Sequence, residues 1–156
     1  MARLRGRGLL VGAILGAAAI VVLVRLLPGG DGVIRPDHPC ADPPPLITYK
    51  GVTLQPIAMR AFKRALRLSE APIIVVQSYR SCHQQALACR NVCGDASGCP
   101  GRCAKPGTSY HQIGAALDIT QGSLDSAGVV TALEGSGWCQ SEPSSDPGHF
   151  SFGGCH

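Results

Sequence analysis

The sequence predicts an α+β domain: a small antiparallel sheet with flanking helices, braced by disulfides and carried behind one N-terminal transmembrane helix. Three observations lead there. Residues 9–27 form a nearly unbroken apolar run behind three arginines. The chain beyond that run contains eight cysteines, an even number that suits a disulfide framework. Between the cysteines, short β-branched runs alternate with helical periodicities, but without the strand–helix–strand rhythm of a parallel sheet.

The apolar run has 19 residues with one charge, Arg25, near its end. As a helix it spans about 29 Å, close to the roughly 30 Å core of a bilayer. Arg3, Arg5 and Arg7 put residues 1–8 on the cytoplasmic side as a basic tail. Residues 9–27 are then the anchor, and everything after them is extracytoplasmic. A cleaved signal peptide is the rival reading and would make the protein secreted. The formal charge is +4, and Arg3, Arg5, Arg7 and Arg25 carry all of it. From residue 28 onward basic and acidic residues balance, so composition offers no case for a nucleic-acid partner. The 45% hydrophobic content excludes a disordered chain, and no repeat of solenoid length is visible.

Residues 28–45 hold six prolines and three glycines, the composition of a partly extended linker. Residues 46–156 form the globular ectodomain, expected to be a monomer. In an oxidising compartment its cysteines read as up to four disulfides. Cys82, Cys89, Cys93, Cys99 and Cys103 crowd together, so at least one of the remote Cys40, Cys139 and Cys155 pairs into the crowd if all are bridged. Zinc held by Cys93, Cys99 and Cys103 is the alternative.

Tyr49-Lys50-Gly51-Val52 reads as a tight turn between strands 46–49 and 52–54. Pro56 suits the first turn of a helix. From there Ile57, Ala58, Ala61, Phe62, Ala65 and Leu68 recur at helical spacing, with Arg60, Lys63, Arg64 and Arg67 on the solvated face. Pro72 ends the helix, and Ile73-Ile74-Val75-Val76 reads as a buried strand. A helix over 82–90 follows, then an irregular loop over 93–107. A strand over 115–120, a helix over 126–133 and a final strand over 149–152 complete the set.

Two segments carry chemistry. In Ser109-Tyr110-His111-Gln112-Ile113-Gly114-Ala115-Ala116-Leu117-Asp118, His111 and Asp118 lie about 10 Å apart along a straight helix and more than about 20 Å apart along a straight strand. Neither geometry lets both touch one metal ion. A chain reversal at Gly114 does, because glycine accepts the dihedrals of a sharp turn. Leu117 and Ile119 then point into the core and Asp118 toward His111. In Asp146-Pro147-Gly148-His149-Phe150-Ser151-Phe152, Pro-Gly excludes a helix and predicts a turn entering a strand. Phe150 and Phe152 face the core, and His149 turns out toward His111 and Asp118. Two imidazoles and one carboxylate, with a fourth position open, are the ligand pattern of a catalytic zinc. Asp146 is placed to act as general base on a water molecule.

Ser109-x-His111-x-x-Gly114-x-Ala116-x-Asp118 resembles the SxHxxGxAxD motif of the VanY-type D-alanyl-D-alanine carboxypeptidases, which share their fold with the hedgehog signalling domain and the lysostaphin-type peptidases. Ser78-Tyr79-Arg80-Ser81 with Gln85 is similar to that family's S(G)YRSxxxQ segment, and Asp146-x-x-His149-Phe150 to its ExxHF segment. The resemblance covers roughly residues 46–152. It implies that His111, Asp118 and His149 bind Zn2+, and that Arg80 engages a substrate carboxylate or carbonyl oxygen and stabilises developing negative charge. It further implies that Ser109 and Gln85 contact substrate, and that position 146 holds the catalytic acid/base. The reaction implied is hydrolysis of a peptide bond in a peptidoglycan stem, with removal of the terminal D-Ala as the leading reading.

The sequence departs from the family pattern at three places. Asp146 stands where carboxypeptidases usually have Glu; the related L-alanyl-D-glutamate endopeptidases use Asp there, which makes that cleavage the alternative. Gly148 replaces the family's usual Trp, removing a wall of the pocket. The dense cysteines between residues 82 and 103 are unlike most members and are expected to stiffen a domain with few aromatics to bury. A third reading is a catalytically inactive, zinc-stabilised module that binds cell wall. His38 and His156 are expected to be idle, His83 to lie on a helix surface, and Trp138 to belong to the core. Cys155 is expected to clamp the C-terminal tail near His149.

Overall fold

The computed structural model describes Cys40 and residues 44–154. The tail 1–8, the anchor expected at 9–27, most of the linker 28–45, His38, Cys155 and His156 lie outside the described residues. Among the described residues no helix is long and apolar enough to cross a membrane.

A hairpin opens the domain. Strands β1 (Ile47–Tyr49) and β2 (Val52–Leu54) pair antiparallel. Lys50 and Gly51, both at positive φ, make the tight turn between them, the backbone twist that two-residue hairpin turns prefer. Helix α1 (Pro56–Leu68) follows, with Pro56 in its first turn as expected. Its buried stripe is Ala58, Met59, Ala61, Phe62 and Ala65. Leu68 is not part of that stripe and is 53% exposed, because the helix ends there and the chain turns away. Lys63, read from the sequence as solvated, lies over the Tyr49 ring at 4.4 Å.

The main sheet has four antiparallel strands in the order β3-β4-β6-β5: β3 (Val75–Gln77), β4 (Ala116–Ile119), β5 (Trp138–Cys139) and β6 (His149–Phe152). The run from Ile73 to Val76 does not form the buried strand expected of it. Ile73 is buried, but Ile74 and Val76 are 56% and 64% exposed. Among the described residues β3 is an edge strand with β4 as its sole strand neighbour, so composition suited to a central strand sits at a border. Helix α2 (Cys82–Cys93) opens with a capping box from Ser81 and Gln84 and closes at left-handed Gly94. The helix expected over 126–133 is found as α4 (Val129–Glu134), which starts later because its N-cap Gly128 takes φ +80°, and it is preceded by a short helix not expected from the sequence, α3 (Gln121–Leu124).

The core joins α1, the sheet and α4. Phe62, Met59, Leu54, Leu117, Leu133 and Phe150 are each at most 2% exposed, and full burial of such a side chain stabilises by about 1.5–3 kcal/mol. Trp138 belongs to the same cluster. Disulfides join Cys40 to Cys82, Cys89 to Cys103 and Cys93 to Cys99, and Cys139 is also disulfide-bonded. The first of these is the expected pairing of a remote cysteine into the crowded stretch. With Cys93, Cys99 and Cys103 all oxidised, the zinc alternative at those positions is excluded.

Candidate metal centre and active site

Strand register builds one side of the site. β4 lies between β3 and β6, and Asp118 is paired with Gln77 on one flank and His149 on the other. Directly opposed residues project from the same face with Cβ atoms about 4.5–5.5 Å apart, so the carboxylate and the imidazole meet without help from a loop.

The other side comes from the 3₁₀ turn Tyr110–Ile113. Ser109 caps it, its hydroxyl accepting from the His111 amide at 3.3 Å. Gly114 ends it in the left-handed region at φ +65° and turns the chain into β4, the reversal that the spacing of His111 and Asp118 requires. No side chain fits there: a Cβ on Gly114 would lie 2.7 Å from the Gln55 amide nitrogen and from Leu46 Cδ2.

Three ligand-type atoms converge. His111 Nε2 is 3.2 Å and His149 Nδ1 is 2.9 Å from Asp118 Oδ1, and the two imidazole nitrogens are 3.3 Å apart. Donors around a tetrahedral zinc with bonds of about 2.0–2.1 Å are separated by about 3.3–3.4 Å, so the triangle fits one face of such a centre. The outer partners agree. His111 Nδ1 donates to the Ser78 carbonyl at 2.6 Å; a carbonyl only accepts, so the proton sits on Nδ1 and the lone pair of Nε2 faces the centre. His149 Nε2 meets the Ser151 hydroxyl at 3.0 Å, leaving Nδ1 turned inward. Burial opposes the Asp118 charge, but in the metal-free site, where the imidazoles can take up a second proton, their hydrogen bonds and charge outweigh it and hold the carboxyl well below its ordinary range.

Arg80 stands beside this triangle, 9% exposed, with Nη2 3.5 Å from Asp118 Oδ2. Its backbone amide donates to the His111 carbonyl at 3.1 Å. Nη1 donates to Gln85 Oε1 at 2.8 Å and Nη2 to Gln77 Oε1 at 2.7 Å. Burial lowers its pKa while the charges of Asp118 and Asp146 raise it; a guanidinium in such surroundings stays charged.

Gln85 is buried, and its amide is engaged at both ends within the protein: Oε1 with Arg80, Nε2 with the Ala104 carbonyl at 2.7 Å. Ser109 is also buried and lies in the wall of the cleft. Asp146 lines the same cleft from the loop before β6, and its carbonyl accepts from the His149 amide at 3.1 Å. Partial desolvation by the cleft walls, then the Asp118 charge, push the Asp146 carboxyl up. The cleft holds about 610 Å³, within the range of roughly 300–1,000 Å³ of small-molecule sites. His83 lies exposed on α2.

Gly148 has a structural reason. A Cβ there would lie 2.8 Å from the Ile119 carbonyl oxygen, so a larger residue cannot occupy this backbone position unless β6 moves from β4. Sequence reasoning missed Ser78, whose backbone carbonyl acts, and a backbone contact leaves no mark on residue type. It also missed Gln77, legible only from sheet register. Ser151, two residues from His149 on the same strand, is a partner that residue type alone does not announce.

The protein-family model described as VanY, D-alanyl-D-alanine carboxypeptidase, matches residues 54–142. The match ends before Asp146 and His149, which enter the site through the geometry above. No curated protein matches this chain by sequence. Two solved structures share the fold. VanYB in complex with D-alanine-D-alanine is 21% identical with a TM-score of 0.55, over 74% of this chain and 80% of the other. A mutant of the vancomycin resistance D,D-pentapeptidase VanY from a VanB-type resistance cassette, in complex with Zn(II), is 22% identical with a TM-score of 0.54, over 73% of this chain and 80% of the other.

Proposed function

The chain belongs to the VanY D-alanyl-D-alanine carboxypeptidase family, and on that premise we propose that it is a zinc peptidase removing the terminal D-Ala from peptidoglycan stem peptides. The observation that carries this is the triangle of His111 Nε2, Asp118 Oδ1 and His149 Nδ1 with Arg80 at its edge. His111, Asp118 and His149 would hold the ion, and bound zinc supplies Lewis acidity to the reacting carbonyl and the attacking water.

The remaining steps belong to side chains. Arg80 pairs with the terminal carboxylate of the peptide and orients the scissile bond. Ser109 lies in the cleft wall where it contacts the bound peptide. The Asp146 carboxylate takes a proton from the attacking water and returns it to the departing amide nitrogen. In the metal-free site burial and the Asp118 charge raise the Asp146 pKa; a bound zinc ion would act against that rise. Disulfide bonding of Cys40, Cys82, Cys89, Cys93, Cys99, Cys103 and Cys139 supports an extracytoplasmic location, with residues 9–27 as the tether.

Asp146 also supports a second reading, cleavage between L-Ala and D-Glu, because endopeptidases of that branch resemble this chain at position 146. One experiment separates the two. The whole oxidised chain, loaded with zinc, is incubated with a stem pentapeptide ending in D-Ala-D-Ala, and the products are identified by mass spectrometry. Loss of one D-Ala is expected; release of L-Ala replaces the proposal with the endopeptidase. An untouched peptide, with zinc bound, makes the protein a binding module.

A further inference from the structure

We propose that the Cys89–Cys103 disulfide positions Arg80 through Gln85 and thereby sets recognition of the substrate carboxylate. The inference rests on the role of Arg80 just proposed. Gln85 is 1% exposed and Cys89, one helical turn further along α2, is fully buried. The disulfide fastens residue 103 to that face of the helix. Gln85 Nε2 lies 3.4 Å from Cys103 Sγ and 3.6 Å from Cys89 Sγ. The next residue, Ala104, offers its carbonyl to Gln85 Nε2 at 2.7 Å.

The chemistry of an amide gives this contact its effect. A glutamine presents either oxygen or NH2 to a neighbour by a half-turn of its last torsion. The Ala104 carbonyl only accepts, so it claims Nε2 and turns Oε1 toward Arg80, where Oε1 accepts from Nη1 at 2.8 Å. If Ala104 leaves, the amide is free to turn NH2 toward a guanidinium that is itself all donor. Arg80 then keeps Gln77 and the longer contact to Asp118 Oδ2 at 3.5 Å. Between Gly94 and Ser109 the backbone forms no regular helix or strand beyond the bridge of Cys99 with Cys103. Cys93–Cys99 also ties this loop to α2, but Cys89–Cys103 is the cross-link adjacent to Ala104 and so the covalent restraint that acts most directly on its carbonyl. Arg80 is the residue that touches substrate; Gln85 and the disulfide are positioning elements behind it.

The test compares the whole oxidised chain with C89S/C103S and with Gln85→Leu, which keeps the disulfide but removes both amide contacts. The first readout is nitrogen-15 NMR of the Arg80 guanidinium, assigned by Arg80→Lys, and needs no substrate. Separate Nη signals from a locked side chain are expected in the parent and averaged signals in both variants. The second is kinetic: for a peptide ending in D-Ala-D-Ala, KM rises about tenfold and kcat changes less than about threefold. Zinc content stays the same, and the peptide blocked as a C-terminal amide shows no such rise. Unchanged Arg80 signals and KM in a folded C89S/C103S protein overturn the proposal. If that variant does not fold, unchanged signals in Gln85→Leu do the same. A parent that hydrolyses nothing removes the proposed function, while the guanidinium signals still report whether Arg80 is positioned in this way.

Discussion

The Nδ1–H of His111 donates to the carbonyl of Ser78 at 2.6 Å, and two residues on the Arg80 amide donates to the His111 carbonyl at 3.1 Å. The imidazole proposed to hold the metal and the arginine proposed to bind the substrate thus share one short stretch of backbone. On the proposed roles, a shift of either residue would strain the other's hydrogen bond, which would couple metal binding to carboxylate recognition.

Loss of ligands and loss of the base should separate. His111→Ala is expected to abolish both zinc binding and turnover. Asp146→Asn is expected to keep zinc, by metal analysis, and to lose about 10²–10⁴ in kcat. Full turnover by Asp146→Asn would remove Asp146 from the mechanism.

The same Asp146→Asn substitution should stabilise the zinc-free protein. Burial and the Asp118 charge raise the Asp146 pKa on folding. An acid with a raised folded pKa costs stability above that pKa, since the unfolded chain ionises more readily. Removing the charge relieves the cost at neutral pH. The check is thermal melting in chelator at pH 7, with a higher Tm expected for the variant.

Asp118 has the opposite sign. Its folded pKa is depressed, so its contribution is present above the unfolded value of about 3.9 and is lost as pH falls below it toward the folded value. In chelator, the Tm gap between the parent and Asp118→Asn is expected to be wide at pH 7 and to close below about pH 4. A gap that stays constant with pH would contradict the ionic account.

Ser151→Ala removes the hydroxyl that meets His149 Nε2 at 3.0 Å. Partners of this kind are worth about 10–100-fold in metal affinity. Competition with a fluorescent chelator is expected to show that loss, with turnover recovering at saturating zinc.

Gly148→Ala puts a Cβ 2.8 Å from the Ile119 carbonyl oxygen. The β4–β6 pairing must shift, at a cost of about 1–3 kcal/mol. Denaturant unfolding measures it, and a neutral result would show that β6 has room to move.

Much of this was legible before any coordinates, for identifiable reasons. The reversal at Gly114 follows from the spacing of His111 and Asp118, because no regular element brings them to one ion. Strand alternation dictates that Asp118 opposes Leu117 and Ile119, and that His149 opposes Phe150. The strand over 73–76 misled because β-branched residues mark extended backbone and not burial, which depends on neighbours supplied from elsewhere. The helix over 126–133 starts only at Val129, because Gly128 before it takes a positive φ and caps it.

By itself the sequence determined the residue types, the apolar alternation that fixes which side chains turn inward, and the turns that Gly and Pro require. These are local properties, carried by spacing and backbone sterics. Tertiary structure alone decided the pairing of Gln77, Asp118 and His149 across three strands, the Ser78 carbonyl behind His111, and the chain from Cys89–Cys103 through Gln85 to Arg80. Those contacts join residues far apart in the chain, and several run through backbone oxygens that every residue possesses, so no pattern of side chains announces them.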